Sequence, residues 1–237
     1  MNAVYMLTLR QLAGRWRILI MTVLACMPVL IATLMLRSDR APSVADFEIA
    51  VLSAILTAAI IPLIVLAIGT VAFSNELEDR TLANLTLSPI PRWQIVLPKL
   101  LAAITVAAPF IAVSAFFTSY IAYLGDVRAV IAVTVSAVIA VMLYAAMFVW
   151  LGLVTTQAIG AGLLYIVIWE GFVSGFVSGA RLLSIRYYGM AFMHGLDERR
   201  FADLEHLSLA AVAITASVVF AGFLLLTIRR LRRMDVP

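Results

Sequence analysis

Six apolar runs, each about 20 residues or longer, constrain this chain more than any other feature of its sequence. They fall at approximately Ile18–Leu36, Ile49–Phe73, Val96–Leu124, Ala129–Thr155, Ile159–Gly179 and Leu207–Ile228. A run of that length crosses a hydrocarbon core of roughly 30 Å as a helix, and a helix satisfies its own backbone groups where no water is present. The expected fold is therefore an all-α membrane protein, a single transmembrane domain over 1–237 with six transmembrane helices. Composition agrees: 64% of the 237 residues are hydrophobic and 13% are charged, about half the charge of an ordinary soluble domain. The third and fourth runs are long enough to tilt or to extend past the membrane.

The basic start of the chain followed by an apolar run resembles a signal peptide. Ile18–Leu36 is longer than a usual signal core and has no clear small-residue cleavage site, so it is read as a retained first span. Sidedness follows the Lys/Arg bias of short loops. Arg10, Arg15, Arg17, Arg80, Arg92, Lys99 and the Arg229, Arg230, Arg232, Arg233 cluster share one side; Arg37, Arg40 and Arg128 lie on the other. Both termini are thus expected in the cytoplasm and the chain in the inner (cytoplasmic) membrane. The formal charge of +4 says little about nucleic acid, and no nucleic-acid partner is expected, because the basic residues sit at span ends beside the lipid bilayer. Val4, Leu7, Leu12 and Trp16 fall near one face, which predicts an interfacial helix over 1–17. The single cysteine, Cys26, permits no disulfide within the chain.

The loop between the second and third spans, Ser74–Lys99, reads SNELEDRTLANLTLSPIPRWQIVLPK. Asn75 and Glu78 have capping-box spacing, and Glu76, Glu78 and Asp79 suit the positive end of a helix dipole. Leu77, Thr81, Leu82 and Leu85 share an arc of the helical wheel, and Pro89 and Pro91 stop the helix. Arg92, Trp93 and Lys99 would anchor the next span at the headgroups. Two readings stay open on this physics: a rigid amphipathic helix over 75–90 that receives force from a soluble partner, or a loop that only satisfies topology.

The same stretch resembles the coupling loop of type 2 ABC exporter permeases, in which an acidic cluster is followed by Thr-Leu, a Leu, a Pro-Ile/Val-x-Arg turn and a Lys. Glu76, Glu78, Thr81, Leu82, Leu85, Pro89, Ile90, Arg92 and Lys99 match; Arg80 stands where glycine is frequent. The resemblance implies that 75–90 is a coupling helix docking on a nucleotide-binding ATPase subunit, with Glu76, Glu78, Asp79, Thr81, Leu82, Leu85, Pro89 and Arg92 at the contact. It implies a second permease subunit, identical or similar, and it implies export. ATP and Mg would be held by the ATPase, and this chain would carry no cofactor of its own.

Glu170 lies well inside the fifth run. An ionised carboxylate at the bilayer centre costs about 3 kcal/mol or more, so it needs a partner, a proton or a watery cavity. It is either a pathway or gating residue or a packing position. Gly171, Gly175 and Gly179 recur every four residues and would let a helix approach closely, within the subunit or across a dimer. Pro28, Pro62 and Pro109 permit kinks in the first three spans. The segment 180–206 is too polar to span and is expected outside the cytoplasm as a partly helical cap, with Tyr187 and Tyr188 at headgroup level. His194 and His206 lack ligand spacing, so no metal site is expected.

No G-x-x-x-x-G-K-[ST], H-E-x-x-H or G-x-S-x-G motif occurs. The expected function is accordingly a transport subunit, not an enzyme, moving a hydrophobic or amphipathic substrate with ATP hydrolysed by a partner. Two other classes of function stand beside this one. A proton- or ion-coupled carrier would use Glu170, but no inverted repeat is apparent. A lipid-modifying enzyme would need a polar catalytic cluster that the sequence does not present.

Overall fold

The computed structural model describes residues 2–38, 43–78, 91–124, 126–174, 184–201 and 208–233. Among them every regular element is helical. Helix α1 is Asn2–Leu12, α2 is Arg15–Arg37 and α3 is the continuous run Val44–Ser74. Helix α4 is Trp93–Ala122, α5 is Val127–Val154 and α6 is Ala158–Val173. Helix α7 is Ile185–Leu196 and α8 is Leu209–Arg233. Five of these, α2, α3, α4, α5 and α8, are long and apolar enough to cross a membrane.

Those five lie within a few residues of the spans expected from the apolar runs. The expected span Ile159–Gly179 is described only in part: helix α6 covers Ala158–Val173, and residues 175–183 lie outside the described part. Helix α7 is packed into the bundle: a Cβ on Gly189 would sit 3.1 Å from the Thr57 methyl of α3 and 3.9 Å from Ala140 of α5. The expected surface cap over 180–206 is thus corrected in its first half. Seven of the twelve residues of α7 are buried, Tyr188 among them, so the Tyr188 ring packs inside the protein.

The N-terminal region is also redrawn. The expected interfacial helix over 1–17 is a shorter helix ending at Leu12, and Trp16 belongs to α2. A corner at Ala13–Gly14 separates the two, tied by an Arg17 guanidinium hydrogen bond to the Gln11 carbonyl at 3.0 Å. Helix α1 lies against α4, with the Tyr5 hydroxyl 3.1 Å from Thr105 Oγ1. Leu12 faces inward, whereas Leu7 is 64% and Trp16 71% exposed, so the face drawn from the helical wheel is split between core and surface.

The core sits between α3 and α5, the most buried of the spans. Helix α5 presents Ala129, Ala132, Ser136, Ala137, Ala140, Ala145 and Ala146 as buried small residues, and small residues let backbones approach closely where lipid gives no hydrophobic drive. Among the described glycines the closest approach to a neighbouring backbone is at Gly152, where a Cβ would come within 2.2 Å of the Thr70 carbonyl oxygen. Helix α3 is π-wound over Glu48–Ile60 and becomes α-helical at Ile61, with Pro62 in its first turn. The Ile61 N–H still bonds back to the Leu56 carbonyl, the i−5 partner. The wide winding therefore ends where the missing N–H of proline interrupts the ladder.

Turns and contacts set the two ends of the bundle. Asp126 caps α5 by accepting the Ala129 N–H at 3.2 Å, closing the α4–α5 hairpin at the end opposite α1. Helix α8 packs on α5 with Phe223 against Trp150, ring centroids 5.7 Å apart. Trp150 lies one turn before the end of α5 on the α1 side, which sets the Arg229–Arg233 cluster on that side too.

Candidate functional site

The loop singled out in the sequence begins on the end of α3. A turn at Thr70 is followed by helix Val71–Glu78, so Asn75 lies inside a helix and does not start one. The expected capping box at Asn75 and Glu78 is corrected accordingly. Asp79, Thr81, Leu82, Leu85 and Pro89 lie outside the described residues. Arg92 is described, half-buried at the N-cap of α4.

Glu76 and Lys99 are brought together across this loop. Lys99 Nζ donates to Glu76 Oε1 at 2.6 Å and to the Ala72 carbonyl, and it lies 4.5 Å from the centroid of the Phe73 ring. Lys99 is 1% exposed and Glu76 12%. The expectation that Lys99 anchors α4 at the headgroups is corrected: its ammonium is spent inside the protein, joining the end of α3 to the start of α4. Sequence reasoning missed the pairing because 23 positions separate the partners. The available signal was a lone lysine, among sixteen arginines, placed just inside an apolar run. Glu76 Oε2 is buried with no hydrogen-bond partner among the described residues, so one oxygen of the pair is left for whatever the remainder of the loop brings.

A second polar centre surrounds Glu170, which is fully buried. Its carboxylate accepts from the Tyr165 hydroxyl at 3.0 Å, from Ser184 Oγ at 2.5 Å and from the Ile185 N–H at 3.0 Å. Ser184 is the N-cap of α7, its Oγ accepting the Tyr187 N–H at 3.2 Å. Glu170 thus sits at the positive end of the α7 dipole and satisfies a donor there that the helix itself cannot. Arg186, one residue on, donates to Ser53 Oγ of α3 at 2.6 and 3.1 Å and reaches the Glu170 carbonyl at 3.5 Å. The buried Tyr144 hydroxyl of α5 has no hydrogen-bond partner among the described residues. The socket joins α6, α7 and α3 around one carboxylate. Its geometry is that of a fixed cap between two half-helices.

Of the expected glycine face only Gly171 is described. It is exposed, the nearest atom to a Cβ there being the Ile166 carbonyl oxygen at 3.7 Å, so no other helix of the described residues lies against it; Gly175 and Gly179 lie outside the described residues. Among the described residues, other helices press against Gly69, Gly152, Gly162, Gly189 and Gly195. No cluster of three metal-ligating side chains occurs among the described residues. His194 Nδ1 is 2.8 Å from the Phe201 carbonyl.

An apolar groove of about 680 Å³ runs between α2 and α4, lined by Cys26, Val29, Leu30, Phe110, Val113 and Phe117 among others. Its position at mid-helix and its lining suit an apolar occupant.

A bundle of span-length apolar helices with buried polar joints defines a multi-pass membrane protein. Residues 13–181 match the family described as ABC-2 family transporter protein, a match that runs from the start of α2 past the end of α6. The chain belongs to this family of membrane permeases, whose members lack an ATPase site of their own and generally pair with a nucleotide-binding ATPase and form dimers. No curated protein matches the chain.

Proposed function

We propose that the chain is the membrane-spanning subunit of an exporter in the inner membrane, powered by ATP that a separate polypeptide hydrolyses. The observation that carries this reading is the family match over residues 13–181, which contains the whole α3–α4 loop. The partners are a nucleotide-binding subunit beneath the α1 end and a second permease subunit beside this one. Glu78, Asp79, Thr81, Leu82, Leu85, Pro89 and Arg92 meet the ATPase. Glu76 works one step behind them: through Lys99 it makes the ends of α3 and α4 move together, so that force on the loop reaches two spans at once. The groove between α2 and α4 favours a hydrophobic or amphipathic cargo. In this reading the α1 end is cytoplasmic and α6 with α7 completes the sixth crossing.

The test is purification of the tagged protein from its own membrane in mild detergent, with the companions identified by mass spectrometry. A stoichiometric P-loop ATPase, lost when Glu78 and Asp79 are both changed to alanine, is the expected result. A stable particle without an ATPase would overturn the reading and return attention to a gradient-driven carrier. Glu76 is left out of that variant because its removal strands Lys99.

A further inference from the structure

At the end of the bundle opposite α1, a cavity of about 350 Å³ is lined, among the described residues, by Asp126, Arg128, Asp197, Arg199 and Arg200. Three arginines and two aspartates thus border it. None of the five makes an ion pair with another charged group among the described residues, where the single ion pair is Glu76–Lys99. Opposite charges that share a cavity this size without closing on each other are held apart by their supports.

Those supports are visible. Asp126 is fixed as the cap of α5. Asp197, 4% exposed, ends α7, its N–H bonded to the Met193 carbonyl at 3.1 Å and its carbonyl accepting the Phe201 N–H at 3.2 Å. Arg200 is laid over the Tyr123 ring, 4.6 Å from its centroid, with its Nε buried and unpartnered. Tyr123 is in turn wedged edge-on between Phe47 and Phe201, at 6.3 and 5.8 Å. Arg128 and Arg199 form the exposed rim. The result is a stiff aromatic floor under a mixed-charge mouth, placed where the α4–α5 turn leaves the apolar zone.

We propose that this cavity binds an amine-bearing phosphate ester, with the phosphate against the arginines and the ammonium against Asp126 and Asp197. Guanidinium groups match phosphate geometry, and the N-terminus of α5 adds its positive dipole end. A purely anionic ligand would leave both carboxylates facing it, whereas a zwitterion answers both signs. The source is the headgroup of phosphatidylethanolamine in the surrounding leaflet, which the level of the site presents to it. The placement rests on the permease reading only in taking this end as a membrane surface.

The experiment is native mass spectrometry of the full chain, with any companions it retains, released from detergent with equal amounts of phosphatidylethanolamine and phosphatidylglycerol. The wild type should keep phosphatidylethanolamine preferentially. Arg128→Gln with Arg199→Gln, both on the exposed rim, should reduce that retention by about tenfold, as expected for losing charge-assisted hydrogen bonds. Asp126→Asn, which keeps a capping oxygen, should erase the preference between the two lipids. Equal retention by the wild type and the rim variant overturns the proposal, and so does a wild-type preference for phosphatidylglycerol. Displacement of the lipid by soluble phosphoethanolamine at matched concentration keeps the chemistry but overturns the lipid source. Loss of the ATPase partner leaves this readout intact, so the two readings fail separately.

Discussion

Breaking the Glu76–Lys99 contact from either side leaves a charge where water scarcely reaches. Removing one partner of such a buried pair costs roughly 3–5 kcal/mol, whereas replacing both by apolar groups of similar volume is often near neutral. Glu76→Ala should therefore lower the thermal stability of the detergent-solubilised protein sharply, and Glu76→Leu combined with Lys99→Met should restore most of it. Equal melting of Glu76→Ala and wild type would mean that the ammonium finds other compensation. Glu170 allows the same style of argument. Its three donors want acceptors, and Glu170→Gln offers one oxygen and an unwanted NH₂, at a cost of about 1–3 kcal/mol. Glu170→Leu strands all three donors and should cost more. If Glu170→Gln folds with wild-type stability yet abolishes transport, the residue carries protons and the cap reading fails.

At the scale of elements, the crossing of α3 and α5 is the least forgiving contact. A Cβ at Gly152 meets backbone, not a flexible side chain, so Gly152→Val has nowhere to go without separating the two most buried helices. It should abolish a monodisperse peak on size-exclusion chromatography. Gly160→Ala, where nothing lies within 4 Å, should leave that peak unchanged or sharpen it, since alanine is the better helix former. The contrast shows what the sequence exposes and what it hides. Apolar run length located α2, α3, α4, α5 and α8, because membrane thickness acts on each span separately. The role of Glu170 was hidden: the carboxylate and its glycine-rich neighbourhood stood out in the fifth run, but its partners, Ser184 and Ile185 at the start of α7, lie beyond the run's end. The π winding of α3 was equally invisible, because no periodicity of the apolar run marks it; only its end, at Pro62, has a sequence signal. Lys99 was misplaced because the pattern puts basic residues at headgroups by default, and only the fold brings Glu76 to it.

For the whole molecule, sidedness turns on α6 and α7. Four span-length helices, α2 to α5, return the chain to the α1 side, so α8 can end there only if α6 and α7 together carry the chain to the opposite end. The packing of Phe223 on Trp150 and of Leu209 against Gly195 is consistent with that path, and the arginines at 229–233 then lie with α1, as the Lys/Arg bias of inward-facing loops requires. The prediction is direct to check, because Cys26 is the only native thiol and Cys26→Ser clears the background. In that background, Ser208→Cys should react with a membrane-impermeant maleimide on intact cells. Asn2→Cys and Arg232→Cys should react only after permeabilisation. All three positions are exposed in the fold, so failure to label reports the membrane and not burial. Labelling of position 232 from outside, with position 2 protected, would mean that α6 and α7 form a hairpin returning to its own side. The charge cluster at 229–233 would then face the wrong compartment, and an ATPase could not reach both ends of the chain from one side.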